Sequence, residues 1–244
     1  MPITLSAARL KPPSVVAFDK MPWPGSSAGA ALAPVTLSDY LQVIQEYGAR
    51  LHFRRNETII GQNDNTDHVY RIVSGTVRLC RHMPDGRRSI GDFLLPGDLM
   101  GVAEFPNRSV ASEAVSEVTL TSYPRILFER LARESEQVRT QLLCHLSTDL
   151  LIAQQHMFVL GSQKAKQRTA SFFLRLADRL DICGTERMDL AMGRQDIADH
   201  LGLTIETVCR AITALKSDGA ILVPASNQIV LQNRAMLRAL ATEG

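Results

Sequence analysis

The chain has 244 residues, of which 45% are hydrophobic and 21% charged, and carries a formal net charge of +2. That length holds one large domain or two modest ones, each able to bury a core. No apolar run reaches the roughly 18–20 residues needed to cross a bilayer, and the start (MPITLSAARLKPPSVVAF) lacks the apolar segment of a secretory signal, so a cytoplasmic protein with no membrane partner is expected.

Residues 1–34 contain six prolines and the run GSSAGAALA, the composition of a flexible Pro/Ala-rich tail. Trp23 is its sole anchoring candidate. Ser38 then caps a short expected helix through Leu41, Ile44 and Tyr47. Next, HVYRIVSGTVRLCRH and RRSIGDFLL alternate apolar and polar residues between turn signals such as Ser74-Gly75, Pro84-Asp85-Gly86 and Pro96-Gly97-Asp98. Strands so spaced, running to about Tyr123, predict an antiparallel barrel or sandwich.

Residues 136–160 hold neither Gly nor Pro, and Leu142, Leu146, Leu150, Ala153, Met157 and Leu160 recur at steps of three and four. A helix of that length is a rod of nearly 40 Å. Its stripe packs either inside its own domain or against a twin. A second helix follows, with Phe172, Phe173, Leu176 and Leu180 on one face.

The next stretch, GRQDIADHLGLTIETVCRAITALKSDGAILVPASNQIVL, has helix-turn-helix spacing over about residues 194–213. Ile197, Ala198 and Leu201 face inward, Gly202 turns the chain, and Thr204 caps a second helix that buries Val208, Ile212 and Leu215. Residues 221–223 and 229–231 predict a two-stranded wing. Glu206, Cys209 and Arg210 then stand on the outward face of the second helix, in the half that enters a major groove. Arginine donates bidentately to guanine and glutamate accepts from cytosine N4, so these three are the candidate base readers. Arg194, Gln195, Thr204 and Thr207 are candidate phosphate contacts. An exposed i,i+4 ion pair between Glu206 and Arg210, worth roughly 0.3–0.5 kcal/mol, is the plainer alternative. Double-stranded DNA is the expected partner.

With SGTVRL, DGRR before a strand, PGDLMG, the long striped helix and GRQDIADHLGLTIETVCR in order, the chain resembles the CRP/FNR family of bacterial transcription regulators over about residues 36–240. The wording LGLTIETVxR is similar to that of FixK-type members. The resemblance implies an α+β fold: a cyclic-nucleotide-binding-like β-roll over 35–134, a dimerisation helix over 135–161 and a winged helix-turn-helix over 162–244. It turns the Leu142, Leu146, Leu150, Ala153, Met157 and Leu160 stripe into a homodimer seam. It implies an activator, not an enzyme, that works with RNA polymerase on low-oxygen respiration or nitrogen-fixation genes. Its own abundance would be set upstream by an oxygen-responsive two-component system.

FNR-like members carry Glu, Ser and Arg where this chain has Glu206, Cys209 and Arg210. CRP-like members carry an arginine where this chain has Ile205. The implied operator is therefore TTGA-N6-TCAA rather than one built on TGTGA. Cys209 departs from the serine pattern and, exposed beside an arginine, is a candidate redox-sensitive thiol.

Cofactors are not expected. The first 79 residues contain no cysteine, and Cys80, Cys144, Cys183 and Cys209 are scattered without zinc spacing, so no iron–sulfur cluster or metal is predicted. Val102 follows Gly101 where CRP-like proteins place a ribose-binding glutamate, and Arg108-Ser109 stands about four residues before the expected phosphate pair, so cyclic AMP is not expected either. His52, His68 and His82 are read as ordinary histidines of a β domain rather than haem ligands. An effector-gated CRP-like regulator remains the alternative within the fold, and a cyclic-nucleotide-dependent signalling enzyme the alternative outside it, for which no catalytic motif is present.

Overall fold

The computed structural model describes residues 45–64, 67–102, 110–180 and 187–242. The tail with Trp23, the cap at Ser38, the Arg108-Ser109 pair and Cys183 lie outside the described residues.

After a single 3-10 turn at Gln45–Tyr47 come eight strands: β1 (Ala49–Phe53), β2 (Thr58–Ile60), β3 (His68–Ser74), β4 (Val77–His82), β5 (Arg88–Leu94), β6 (Leu99–Met100), β7 (Ala111–Ala114) and β8 (Val118–Pro124). They form two antiparallel four-stranded sheets, ordered β1-β8-β3-β6 and β2-β7-β4-β5. Between the sheets lie Ile72, Val77, Met100, Ala114, Val118 and Leu120. The β3–β4 turn depends on Gly75, at φ 86°, because a Cβ there would stand 2.1 Å from the Glu117 carbonyl oxygen.

Helix α1 (Arg125–Glu134) leads into α2 (Glu136–Ser162), which Ser135 caps by accepting from the Val138 amide at 3.3 Å. At 27 residues, α2 is about 40 Å long. It buries only Val138 completely, while Leu143, Leu150, Leu151, Met157 and Phe158 remain more than half exposed.

The chain continues through α3 (Ala165–Arg179), β9 (Arg187–Asp189), α4 (Arg194–Leu201), α5 (Ile205–Ser217), β10 (Ile221–Leu222), β11 (Gln228–Leu231) and α6 (Arg234–Thr242). The wing is three-stranded, ordered β10-β11-β9, rather than two-stranded. Met188 pairs with Ile229 and adds the third strand from the short segment just before the helix-turn-helix.

Val35–Gly244 forms one compact unit. The outer face of the β2-β7-β4-β5 sheet is largely covered, with His82 exposed at its end. Cys80, Ile90, Phe93 and Leu95 share one apolar cluster with Phe172, Phe173, Ile197, Val208 and Leu215 of the C-terminal helices. The β segment and the DNA-binding segment thus have a common core. This also explains why β4 and β5 alternate imperfectly: both faces of the sheet bury side chains.

Candidate nucleic-acid interface

Gly202 adopts a left-handed conformation (φ 62°, ψ 39°) after α4, and its amide bonds the Ala198 carbonyl. A non-glycine residue reaches that conformation only at a cost, so the turn chemistry sets the angle between α4 and α5. The Thr204 hydroxyl accepts from the Thr207 amide at 3.3 Å and caps α5. The helix buries Val208, Ala211, Ile212 and Leu215, and this burial fixes which side faces solvent.

On that outer side Glu206, Cys209 and Arg210 are exposed together. Arg210 Nη2 donates to Thr207 Oγ1 at 3.3 Å, which keeps the guanidinium over the first turns of the helix. Glu206 is held below the usual carboxylate range by its own backbone amide, then by the Thr204 hydroxyl and the nearby Arg210 charge. It stays ionised and ready to accept hydrogen bonds.

Thr204 is exposed and Thr207 half-buried at the amino end of α5, where the helix dipole favours a phosphate. Gln195 is exposed and donates to Asp199 at 2.7 Å. Arg194 has a further task. Its Nη2 donates to the Ser226 carbonyl in the β10–β11 loop at 3.0 Å, tying the wing to the start of α4. Its Nη1 is buried without a protein partner, and its guanidinium is close enough to Cys209 for their charges to interact.

Sequence reasoning missed the joint that holds this reading head. Arg88 donates to Asp199 at 2.8 Å and to Asp196 at 2.6 Å, both on α4. Arg78 bridges Glu113 and Asp196, at 2.8 and 3.1 Å. Arg179 of α3 pairs with Asp98 and donates to the Phe93 carbonyl at 2.7 Å. At the centre His200 is buried between Phe93 and Phe172 and stacks on His156 of α2, with ring centroids 4.2 Å apart. Arg175 donates to His200 Nε2 at 2.8 Å. An arginine cannot accept, so the His200 proton sits on Nδ1, 3.1 Å from the Ile90 carbonyl. Burial, then the Arg175 and His156 charges, push His200 well below 6.5, and it is neutral. The one sequence signal was DGRR, which contains Arg88.

On α2, Leu150, Ala153 and Met157 are exposed, whereas Leu142, Leu146 and Leu160 are half-buried against their own chain. The stripe drawn from sequence ran along the edge of the free face. Its most exposed file is Leu143, Leu150 and Met157, flanked by Leu151 and Phe158. The opposite edge, including Ile152, His156 and Val159, faces a cleft shared with α3 and α4.

In the β segment, Gly101 and Val102 offer their carbonyls to Arg125, the latter at 3.5 Å. An isopropyl group at Val102 cannot accept from a ribose hydroxyl.

Two family patterns match the chain: the Crp-like helix-turn-helix domain over residues 167–240 and the cyclic nucleotide-binding domain over residues 50–135. The nitrogen fixation regulation protein FixK of Azorhizobium caulinodans is 41% identical over 82% of this chain and 82% of its own length. The chain belongs to the CRP/FNR family. Within that family, FixK of Bradyrhizobium diazoefficiens is 36% identical over 82% of this chain and 85% of its own. The solved structure of FixK2 from Bradyrhizobium japonicum is similar at 36% identity, covering 81% of this chain and 98% of that one with a TM-score of 0.76. This CRP/FNR chain is therefore a FixK-type regulator with a DNA-binding helix-turn-helix. No helix among its described residues is long and apolar enough to cross a membrane.

Proposed function

We propose that the chain is a cytoplasmic, homodimeric transcription activator that reads TTGA-N6-TCAA-like palindromes and recruits RNA polymerase to genes of low-oxygen respiration or nitrogen fixation. The observation that carries this reading is the joint exposure of Glu206, Cys209 and Arg210 on the face of α5 opposite its buried stripe. Arg210 reads guanine, Glu206 accepts from cytosine, and Cys209, a near-isostere of serine, packs between them. Thr204, Thr207, Gln195 and Arg194 hold phosphates.

A second copy covers the exposed file of α2. Leu143, Leu150 and Met157 stand seven residues apart, each followed three residues later by Leu146, Ala153 and Leu160, which is the a/d repeat of a two-stranded coiled coil. The two-fold axis then sets two copies of α5 about one DNA turn apart. The nitrogen-fixation element of this reading comes from the named FixK relatives, and the low-oxygen element from the resemblance of LGLTIETVxR to FixK-type members.

The regulator works without a cyclic nucleotide, iron–sulfur cluster or haem. Support for the first is Val102 and the engagement of its turn by Arg125. The test is a mobility-shift titration on a TTGA-N6-TCAA duplex and on one built from TGTGA, with and without cyclic AMP. The reading requires preference for the first duplex and no effect of the nucleotide. Binding that appears only with cyclic AMP would select the effector-gated alternative.

A further inference from the structure

Cys80 and His82 project from the same face of β4, two residues apart, and Glu113 reaches them from neighbouring β7, where it pairs in register with Arg78. Cys80 Sγ lies 3.6 Å from His82 Nε2, and His82 Nε2 lies 2.7 Å from Glu113 Oε1. The three donor atoms all fall within 4.8 Å of one another. The sequence spacing hid this group, because one member arrives by strand pairing rather than by proximity in the chain.

We propose that Cys80, His82 and Glu113 form a zinc(II) site. The donors are a thiol, an imidazole and a carboxylate, the mixed soft and borderline set that suits this ion better than magnesium or calcium. A tetrahedral zinc ion with sulfur at about 2.3 Å and nitrogen at about 2.0 Å holds those two atoms about 3.5 Å apart. Cys80 and His82 already have that separation. The His82–Glu113 contact must open by about 0.6 Å to admit the ion, a movement within the reach of a glutamate side chain.

The second carboxylate oxygen of Glu113, Oε2, accepts from Arg78 and orients the first toward the ion, the kind of outer-shell bond that metal ligands use. His82 is half exposed and lines an open cleft with Gln62, Arg81, Met83, Asp85 and Arg87, so the ion reaches the buried Cys80 and Glu113 from the His82 side. On binding, the Cys80 thiol proton leaves to solvent as the zinc–sulfur bond forms. Without the ion His82 Nε2 donates to Glu113 Oε1, so on binding solvent takes the Nε2 proton and Nδ1 carries the imidazole proton, which frees the Nε2 lone pair. No electron is transferred. Arg78 also holds Asp196 of α4, so the site stands one ion pair from the reading head.

The test uses the full chain with Cys144→Ser, Cys183→Ser and Cys209→Ser, which leaves Cys80 as its only thiol, titrated with Co²⁺ as a spectroscopic stand-in. The expected result is a thiolate-to-cobalt absorption band that saturates at one ion per chain and is displaced by Zn²⁺. His82→Gln should weaken binding by roughly tenfold or more. Absence of the band, or an affinity in His82→Gln and Glu113→Gln equal to that of the parent with Cys80 alone, would overturn the site. Should the serine background fail to fold, the Zn²⁺-induced rise in melting temperature is compared in the parent chain and in His82→Gln alone. A rise lost in the variant supports the site, and an equal rise or none overturns it.

Discussion

Arg78 of β4 and Asp196 of α4 meet at 3.1 Å although 118 positions separate them in the chain. Both side chains are about nine-tenths buried, and Asp196 also receives Arg88. The first helix of the reading head is therefore held by the sheet through a buried, charge-assisted network. Arg78→Met leaves Glu113 with His82 and Asp196 with Arg88, so the loss falls near the lower end for a broken buried pair, about 3 kcal/mol. Urea denaturation of parent and variant measures it. A loss below 1 kcal/mol would mean that the network contributes little to holding the two segments together.

His200 makes the same joint sensitive to acid. Its value lies well below the ordinary 6.5 because of burial, then the Arg175 and His156 charges; Asp92, 3.3 Å from Arg175, counters part of the field at His156. Burial lowers His156 as well. A histidine lowered in the folded state binds fewer protons there than in the unfolded chain. Stability is thus level above 6.5 and falls as pH drops below it, by up to about 1.4 kcal/mol per pH unit for each group. His200→Gln can still accept from Arg175 and donate to the Ile90 carbonyl, and it should remove the share of this slope that His200 contributes, leaving that of His156. Thermal melts across the range check it, and an unchanged slope would assign the acid sensitivity elsewhere.

Leu150 and Met157 are both exposed on α2 and one heptad apart. Leu150→Glu with Met157→Glu places charge in the proposed seam at a cost of several kcal/mol per dimer. Sedimentation velocity should show monomers, with operator binding lost. The folded monomer should survive, because neither side chain contributes to the chain's own core. A double variant that still sediments as a dimer would move the interface to another surface.

Much of the fold was legible because its signals are local. Gly202, Thr204 and the Val208, Ile212, Leu215 stripe lie within a dozen or so residues, and turn chemistry plus a 3.6-residue period suffices to place them. Strand β9 was not legible: it has three residues, and its partner Ile229 is far along the chain. The α2 stripe was half legible. A straight helix lets an apolar file be drawn through Leu142 or Leu143 equally well, and only contacts with the chain's own α3 and α4 show which is covered. Arg78, Asp196 and His200 carried no sequence signal of their roles, since a buried ion pair or a neutral histidine is defined by partners that tertiary packing brings. Cys80, His82 and Glu113 come together by strand pairing for the same reason.

The central claim is that α5 reads base sequence through Arg210, and the most direct measurement is the ratio of affinities for a TTGA-N6-TCAA duplex and a scrambled duplex at fixed salt, for the parent and for Arg210→Ala. Fluorescence anisotropy supplies both affinities. Losing one bidentate guanine contact should lower that ratio by roughly 1–3 kcal/mol per half-site, while affinity for scrambled DNA falls far less. A ratio unchanged in Arg210→Ala would contradict the account, because the residue would then hold only backbone and the reading face of α5 would lie elsewhere.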